Sequence, residues 1–416
     1  MPGHKGKDTG FLESYDITEI NGADVLYNPN GIILQSENNA TSLFNSLHTF
    51  YSTEGSTLCI KAMLYLATQG IENPTIIANR NVHVAFINAC ALLNIKVVWL
   101  YGKSDNFYTL QTDLQELEIA ILNNKNVCGV YITSPDYLGG IAPISQISKI
   151  CKNHNIALLV DNAHASYSAF LKDNFHPNFL GADMVCDSSH KTLTSLTGGA
   201  YLHINNPLFL DNARKALSLF ASTSPSYLIL QSLDYTNLFI EKNKDKFDIL
   251  VDSINNLKID LINKGYLVQS GEPLKLTINY TEYGYTQQEF YNYLQSYKIE
   301  PEMISGGYCV FMLSVLNSKK ELKVLKKALT LLPKKQAIKV KPINFYTPTK
   351  VLSIRQATLK NSREIEIDKA EGSICAKSVI TCPPALPIVI CGELITKQVI
   401  TLLKQFNIEK IFVIKN

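Results

Sequence analysis

Residues 127–161 read VCGVYITSPDYLGGIAPISQISKICKNHNIALLVD: an apolar β-rich run, a stretch with helical periodicity, and a second apolar run. The same rhythm extends to both sides, with PTIIA at 74–78, IKVVWLY at 95–101, DMVCD at 183–187 and GAYLHI at 199–204. Strand patterns alternating with helical ones define an α/β fold. The central runs are apolar almost throughout, which is the pattern of strands covered by helices on both faces of a mainly parallel sheet. In such sheets ligands sit beyond the carboxyl ends of the strands.

After Pro225 the pattern changes to a long helical stretch near 235–265, then KLTINY, a helix near 287–297 and the run GYCVFMLSVL. This reads as a smaller α+β domain. From about 343 the tail contains PTKVLSIRQATLKNSREIEI, the proline-rich CPPALPIVICGE, and a last helix and strand ending in KIFVIKN. The expected division is an N-terminal segment (1–50), a large domain (51–225), a small domain (226–340) and a C-terminal α/β unit (341–416).

Composition narrows the function. With 39 Lys+Arg against 36 Asp+Glu, the net charge is only +3 and no basic block stands out, so a nucleic-acid partner is not expected. No apolar run approaches the roughly 20 residues of a membrane span, and MPGHKGKDTG has no signal-peptide core. Nine cysteines, an odd number without a Cys-x-x-Cys pair, fit a reduced compartment. The expectation is a cytoplasmic enzyme without a metal site.

The chemistry centres on DSSHKTLTSLTGGAYLHI, residues 187–204, where Lys191 lies in a hydroxyl-rich loop between a β run and a glycine pair. A lysine amine kept neutral can condense with a carbonyl cofactor. Ser188, His190 and Thr192 offer donors to a phosphate beside it. A solvated loop lysine is the plainer reading of this string alone, so its partners decide. Thirty residues upstream, VDNAH ends a strand with Asp161, where a carboxylate can hold a proton on the pyridine nitrogen of pyridoxal 5'-phosphate; His164 follows. Further upstream, STEGST (52–57) is a turn entering a helix, and the N-H groups there, with Gly55, Ser56 and Thr57, make an anion site. In NRNVH (79–83), His83 follows a strand in a position to stack on the cofactor ring.

The ordered set MPGHKG, DITEINGADVLYNPNG, STEGST, NRNVH, SPDYLGG, VDNAH, SSHKT and CPPALPIVICGE resembles the Orn/Lys/Arg decarboxylase family, in its short bacterial form. The resemblance implies the type I pyridoxal-phosphate fold with a mainly parallel, seven-stranded-type sheet. It implies Lys191 as the Schiff-base lysine, Asp161 as the pyridine partner, His83 as the stacking residue, and Ser56, Thr57, Ser188 and His190 as phosphate ligands. It further implies α-decarboxylation of lysine, arginine or ornithine, by a homodimer or higher oligomer. Another reaction on the same fold (an aminotransferase or lyase), or a regulatory cofactor-binding protein, shares these residues; the PGHKG and PP-x-x-P elements favour the decarboxylase.

There are departures from the family pattern. Met1 directly precedes the PGHKG element, where the family usually carries further residues, and a helix that helps dimer contacts is expected to be missing. GSICAK places Ser373 and Lys377 where Arg and Glu are usual, and CPPALP carries Cys382 and Ala385; Gly198 stands where larger members often have Gln. For a basic substrate the side chain needs a counter-charge, and Glu302 in KIEPEM is the candidate, with Glu300 or a carboxylate from a partner chain as substitutes.

Overall fold

Residues 1–102, 108–339, 346–380 and 387–415 are described by a computed structural model. Its central sheet contains seven strands: β1 (His48–Ser52), β2 (Thr75–Asn79), β3 (Lys96–Leu100), β4 (Val127–Thr133), β5 (Ala157–Asp161), β6 (Met184–Asp187) and β7 (Ala200–Ile204), in the order β1-β7-β6-β5-β4-β2-β3. The pairs from β6 through β5, β4 and β2 to β3 are parallel, whereas β7 runs antiparallel to both β6 and β1. The fold is therefore the expected α/β class, with a mainly parallel sheet.

Six of these strands coincide within a residue or so with the apolar runs. The seventh, β1, was not visible in the pattern. HTFYS is short and mixed in polarity, and it is a strand because Thr49 pairs with His203 and Tyr51 with Tyr201 on β7.

Helices α1 (Ile32–Phe44), α2 (Gly55–Thr68), α3 (Val84–Leu93), α4 (Leu114–Leu122) and α5 (Ile144–Asn153) supply the covering layers. On one face α2 and α3 pack Leu58, Met63, Phe86 and Ile87 against Tyr131, Leu159, Met184 and Leu202. On the other, α4 and α5 bring Leu117, Ile147 and Cys151 against Ile77, Val130, Leu158 and Val160. Burial on both faces explains why these strands lack polar alternation.

The long helical stretch is two helices, Tyr227–Asn243 and Asp245–Asn263, starting eight residues before the expected 235. They lead to a four-stranded antiparallel sheet of β8 (Leu267–Val268), β9 (Lys275–Asn279), β10 (Met303–Ser305) and β11 (Tyr308–Met312), in the order β10-β11-β9-β8. In the tail, Ser362–Glu366 pairs antiparallel with Lys410–Ile414, and Val379–Ile380 with Pro387–Val389. The tail is not separate in packing: Ile388, Val389, Ile411 and Val413 share a core with Tyr137, Leu138, Met303 and Val310.

Two of the departures noted in the sequence lie in this tail within the described residues. Lys377 is exposed, with its ammonium 5.5 Å from the ring centre of Phe412, and the Ser373 N-H donates to the Ala370 carbonyl. Cys382 and Ala385 lie outside the described residues. The eight described cysteines are all free. Among the described residues no helix is long and apolar enough to cross a membrane.

Candidate active site

The register of β4 and β5 sets Thr133 beside Asp161 at the carboxyl ends of both strands, and the chain leaves β6 there through Ser188. At these ends lies a cavity of about 320 Å³. Gly55, Ser56, Thr57, His83, Asp161, His164, Ser188, His190 and Lys191 all line it, so residues from four separate motifs meet in one place. Glu302 is not in that lining. It is exposed, but its Oε1 accepts a hydrogen bond from the hydroxyl of Tyr137, a wall residue, at 2.7 Å.

Lys191 sits in the single turn α6 (Ser189–Thr192), reaches the cavity, and brings its Nζ to 2.9 Å from His164 Nε2. Desolvation lowers the Lys191 ammonium below the ordinary lysine range, against the attraction of Asp161 and Glu302. The Asp161 carboxylate is buried, with Oδ2 accepting from the Tyr131 hydroxyl at 3.0 Å and Oδ1 from the Ala163 N-H at 3.2 Å. His83 caps α3 through Nδ1, which accepts from the Ala85 N-H at 3.1 Å, while its ring faces the cavity. Burial keeps the His83 imidazole below its usual range, and for His164 burial does so more strongly, joined by Lys191 and Lys275.

Elsewhere on the lining, α2 begins without a side-chain cap, and beyond the Gly55 N-H its first N-H groups, those of Ser56 and Thr57, are left for another acceptor. The Ser188 hydroxyl donates to Ser56 Oγ at 2.9 Å, and His190 Nδ1 donates to the Gly199 carbonyl at 3.0 Å. Gly198 holds this loop against α2: its carbonyl accepts from the Gly55 N-H at 2.7 Å. Its φ is +99°, and a Cβ there would stand 2.8 Å from the Thr53 carbonyl oxygen, so glycine is required in this arrangement.

The cavity suits a phosphorylated pyridine carbonyl compound. An uncapped helix N-terminus with serine and threonine hydroxyls, a buried strand-end carboxylate and a reachable lysine provide one partner for each of its polar groups. Asn81 Oδ1 and Thr133 Oγ1, both on the lining, are buried without a hydrogen-bond partner, as expected of groups awaiting a ligand. Changing Ser56 to Ala should weaken cofactor affinity more than it slows turnover at saturating cofactor, measured by titrating the cofactor-free protein; a variant with normal affinity would remove Ser56 from the phosphate cradle.

Several residues escaped the sequence reading. Arg80, within NRNVH, makes a bidentate ion pair with Glu393 of the tail, 2.7 Å on both arms, with both side chains buried. Asp136 and Lys275 are buried beside the site, and burial raises the Asp136 carboxyl to about 6. Behind β6, His176, Asp187 and His203 form a cluster with metal-ligating composition. Hydrogen bonds close it: both Nε2 atoms donate to Asp187 Oδ2, and the Nδ1 atoms accept from the Asn178 N-H and the Thr49 hydroxyl. Burial opposes the Asp187 charge, but the two histidines outweigh it and hold the carboxyl far below its usual range. The cluster anchors the strand end from which Ser188 and Lys191 project.

Fold and cavity together fit the class of enzymes that use a phosphate-anchored pyridine cofactor. A family model described as "Orn/Lys/Arg decarboxylase, major domain" matches residues 11–277, and one for the C-terminal domain of the same family matches 334–411. The chain belongs to the Orn/Lys/Arg decarboxylase family and is a pyridoxal-phosphate-dependent amino-acid decarboxylase. It is 26% identical over 446 residues to an arginine decarboxylase of Halalkalibacterium halodurans, covering 98% of this chain and 89% of the relative. It is 27% identical over 430 residues to the uncharacterized protein YaaO of Bacillus subtilis, covering 96% and 88%. The lysine decarboxylase LdcF of Francisella novicida has the same fold, with a TM-score of 0.83 at 16% identity over 100% of this chain and 78% of that one.

Proposed function

We propose that the protein removes the α-carboxylate of a basic amino acid, with arginine first among arginine, lysine and ornithine, giving the amine and CO2 in the cytoplasm. The observation that carries this is the meeting of Lys191, Asp161 and the α2 N-terminus in one cavity, on a chain that belongs to the decarboxylase family. Arginine leads because four relatives matched over more than nine-tenths of this chain are named arginine decarboxylases. Bound pyridoxal phosphate supplies the electron sink that accepts the pair left by CO2. In this reading Lys191 would hold the cofactor covalently, Asp161 would keep the proton on the pyridine nitrogen, and His83 would support the ring. Ser56, Thr57, Ser188 and His190 bind the phosphate, and Lys191 or His164 returns a proton to Cα.

Glu302 takes the distal cation. Because it is exposed, its contribution is that of a solvent-facing ion pair, about 0.2–1 kcal/mol, rather than that of a buried one. A homodimer or larger assembly is the proposed working form, and the N-terminal segment supports it by exposing Phe11, Tyr15 and Ile20. The divisions at 50, 225 and 340 remain the proposed domain limits.

The test is incubation of the cofactor-loaded protein with arginine, lysine and ornithine, following CO2 and amine by mass spectrometry. One substrate should give equimolar CO2 and amine, and Glu302→Gln should raise its KM by up to about 5-fold with unchanged cofactor absorbance. Keto-acid products, or a stable coloured protein giving neither product, would overturn the reading.

A further inference from the structure

Lys275 heads β9, a strand whose first four residues are all buried, and its side chain ends in a buried amine that the chemistry above does not use. A backbone clasp brings it to the cavity: the Glu272 N-H donates to the Gly139 carbonyl at 2.8 Å, and a Cβ at Gly271 would lie 2.3 Å from that oxygen. The Lys275 ammonium group then lies 3.3 Å from the carbonyl oxygens of Asp136 and Tyr137, 3.8 Å from Glu272 Oε1 and 3.5 Å from His164 Nδ1. The other nitrogen of the same imidazole is 2.9 Å from Lys191 Nζ.

Counting protons along this line restricts what it can hold. Burial, with lysines on both sides, keeps the His164 ring neutral, and a neutral imidazole carries one N-H. It therefore donates to one amine and accepts from the other. The amine that receives the N-H has to present a lone pair and is neutral, so at most one of the two lysines carries a charge. Burial lowers both ammonium groups below the ordinary lysine range, and Lys275 has the better claim to the charge, since two carbonyls and Glu272 Oε1 lie within 3.8 Å of it, whereas Asp161 acts on Lys191 only at longer range and Glu302 acts on both.

We propose that Lys275 is a positioning residue that carries the charge of this pair and donates to His164 Nδ1, so that the Nε2-H of His164 points at Lys191 and holds its amine neutral. The neutral amine is the nucleophilic form, so in the cofactor-free protein this line keeps Lys191 ready to react. The inference rests on the assignment of Lys191 as the cofactor lysine, but its central test does not.

That test is the nitrogen NMR spectrum of the cofactor-free protein labelled with 15N-histidine, the His164 signals being assigned by their loss in His164→Gln. The wild type should show His164 protonated on Nε2, and Lys275→Met should move the proton to Nδ1. The wild-type reading needs no folded Lys275 variant; protonation on Nδ1 there, or an unchanged tautomer in a folded Lys275→Met protein, overturns the proposal. A second readout is the pH dependence of Lys191 acetylation by acetic anhydride in the same protein. The groups facing this line are Asp161, His83 and Cys186 on the Lys191 side, Glu272, Asp136 and Tyr137 on the Lys275 side, and Glu302, which acts on both lysines. The labelling midpoint should rise by about one pH unit or more in Lys275→Met; a midpoint that stays or falls contradicts the charge assignment. If the cofactor proves to sit on another lysine, the tautomer result still stands, so the two failures are distinguishable.

Discussion

Asp161→Asn yields a folded protein that still takes up pyridoxal phosphate but turns over its amino acid at least about 100-fold more slowly. The amide is nearly isosteric, and its oxygen can still accept from the Tyr131 hydroxyl or the Ala163 N-H, so the strand end keeps its shape. The proposed phosphate ligands at the start of α2 and at Ser188 are separate residues of the lining and are untouched. What disappears is the negative charge proposed to keep a proton on the pyridine nitrogen, and with it the pull on the electron pair left by CO2. Steady-state kinetics beside cofactor titration separate the two effects. A parallel loss of affinity and turnover, or near-normal turnover, would remove Asp161 from that role.

The second large effect concerns stability. Glu393→Gln should cost about 3–5 kcal/mol, because the Arg80 guanidinium would remain buried without its carboxylate. Arg80 follows β2, and Glu393 also accepts from the Ile390 N-H at 2.8 Å, so the pair fastens the tail to the large sheet. Urea unfolding followed by limited proteolysis should find the tail released first. Replacing both partners by apolar residues, as in Arg80→Met with Glu393→Leu, should recover much of the loss. A single variant as stable as the wild type would mean that the pair holds nothing together.

These two sites differ in how far the sequence revealed them. Asp161 closes an apolar run, and Lys191 sits in a hydroxyl-rich loop after another, so local pattern and chain order were enough to find both. The sheet was legible for the same reason: VCGVYIT is β4 from end to end. Arg80 and Glu393 are 313 residues apart, and Lys275 and His164 are 111 apart. No periodicity encodes such pairs, and each lysine or arginine looks like an ordinary surface residue until its burial is known. KLTINY did hold a clue, since a lysine opening an apolar strand has to snorkel outward or find partners inside, and here it finds them. β1 was missed because HTFYS has no pattern of its own and depends on β7 for its register. The exposure of Glu302 beside Tyr137 was equally illegible, because KIEPEM carries no periodicity that tells a buried carboxylate from an exposed one.

The central claim is that Lys191 is the residue that carries the cofactor. Borohydride reduction of the cofactor-loaded protein, followed by protease digestion and mass spectrometry, tests it most directly. The account predicts one phosphopyridoxyl adduct per chain, located on Lys191 in the peptide containing SSHKT. An adduct on Lys275 or any other lysine, or none at all from a protein that binds the cofactor, would contradict it.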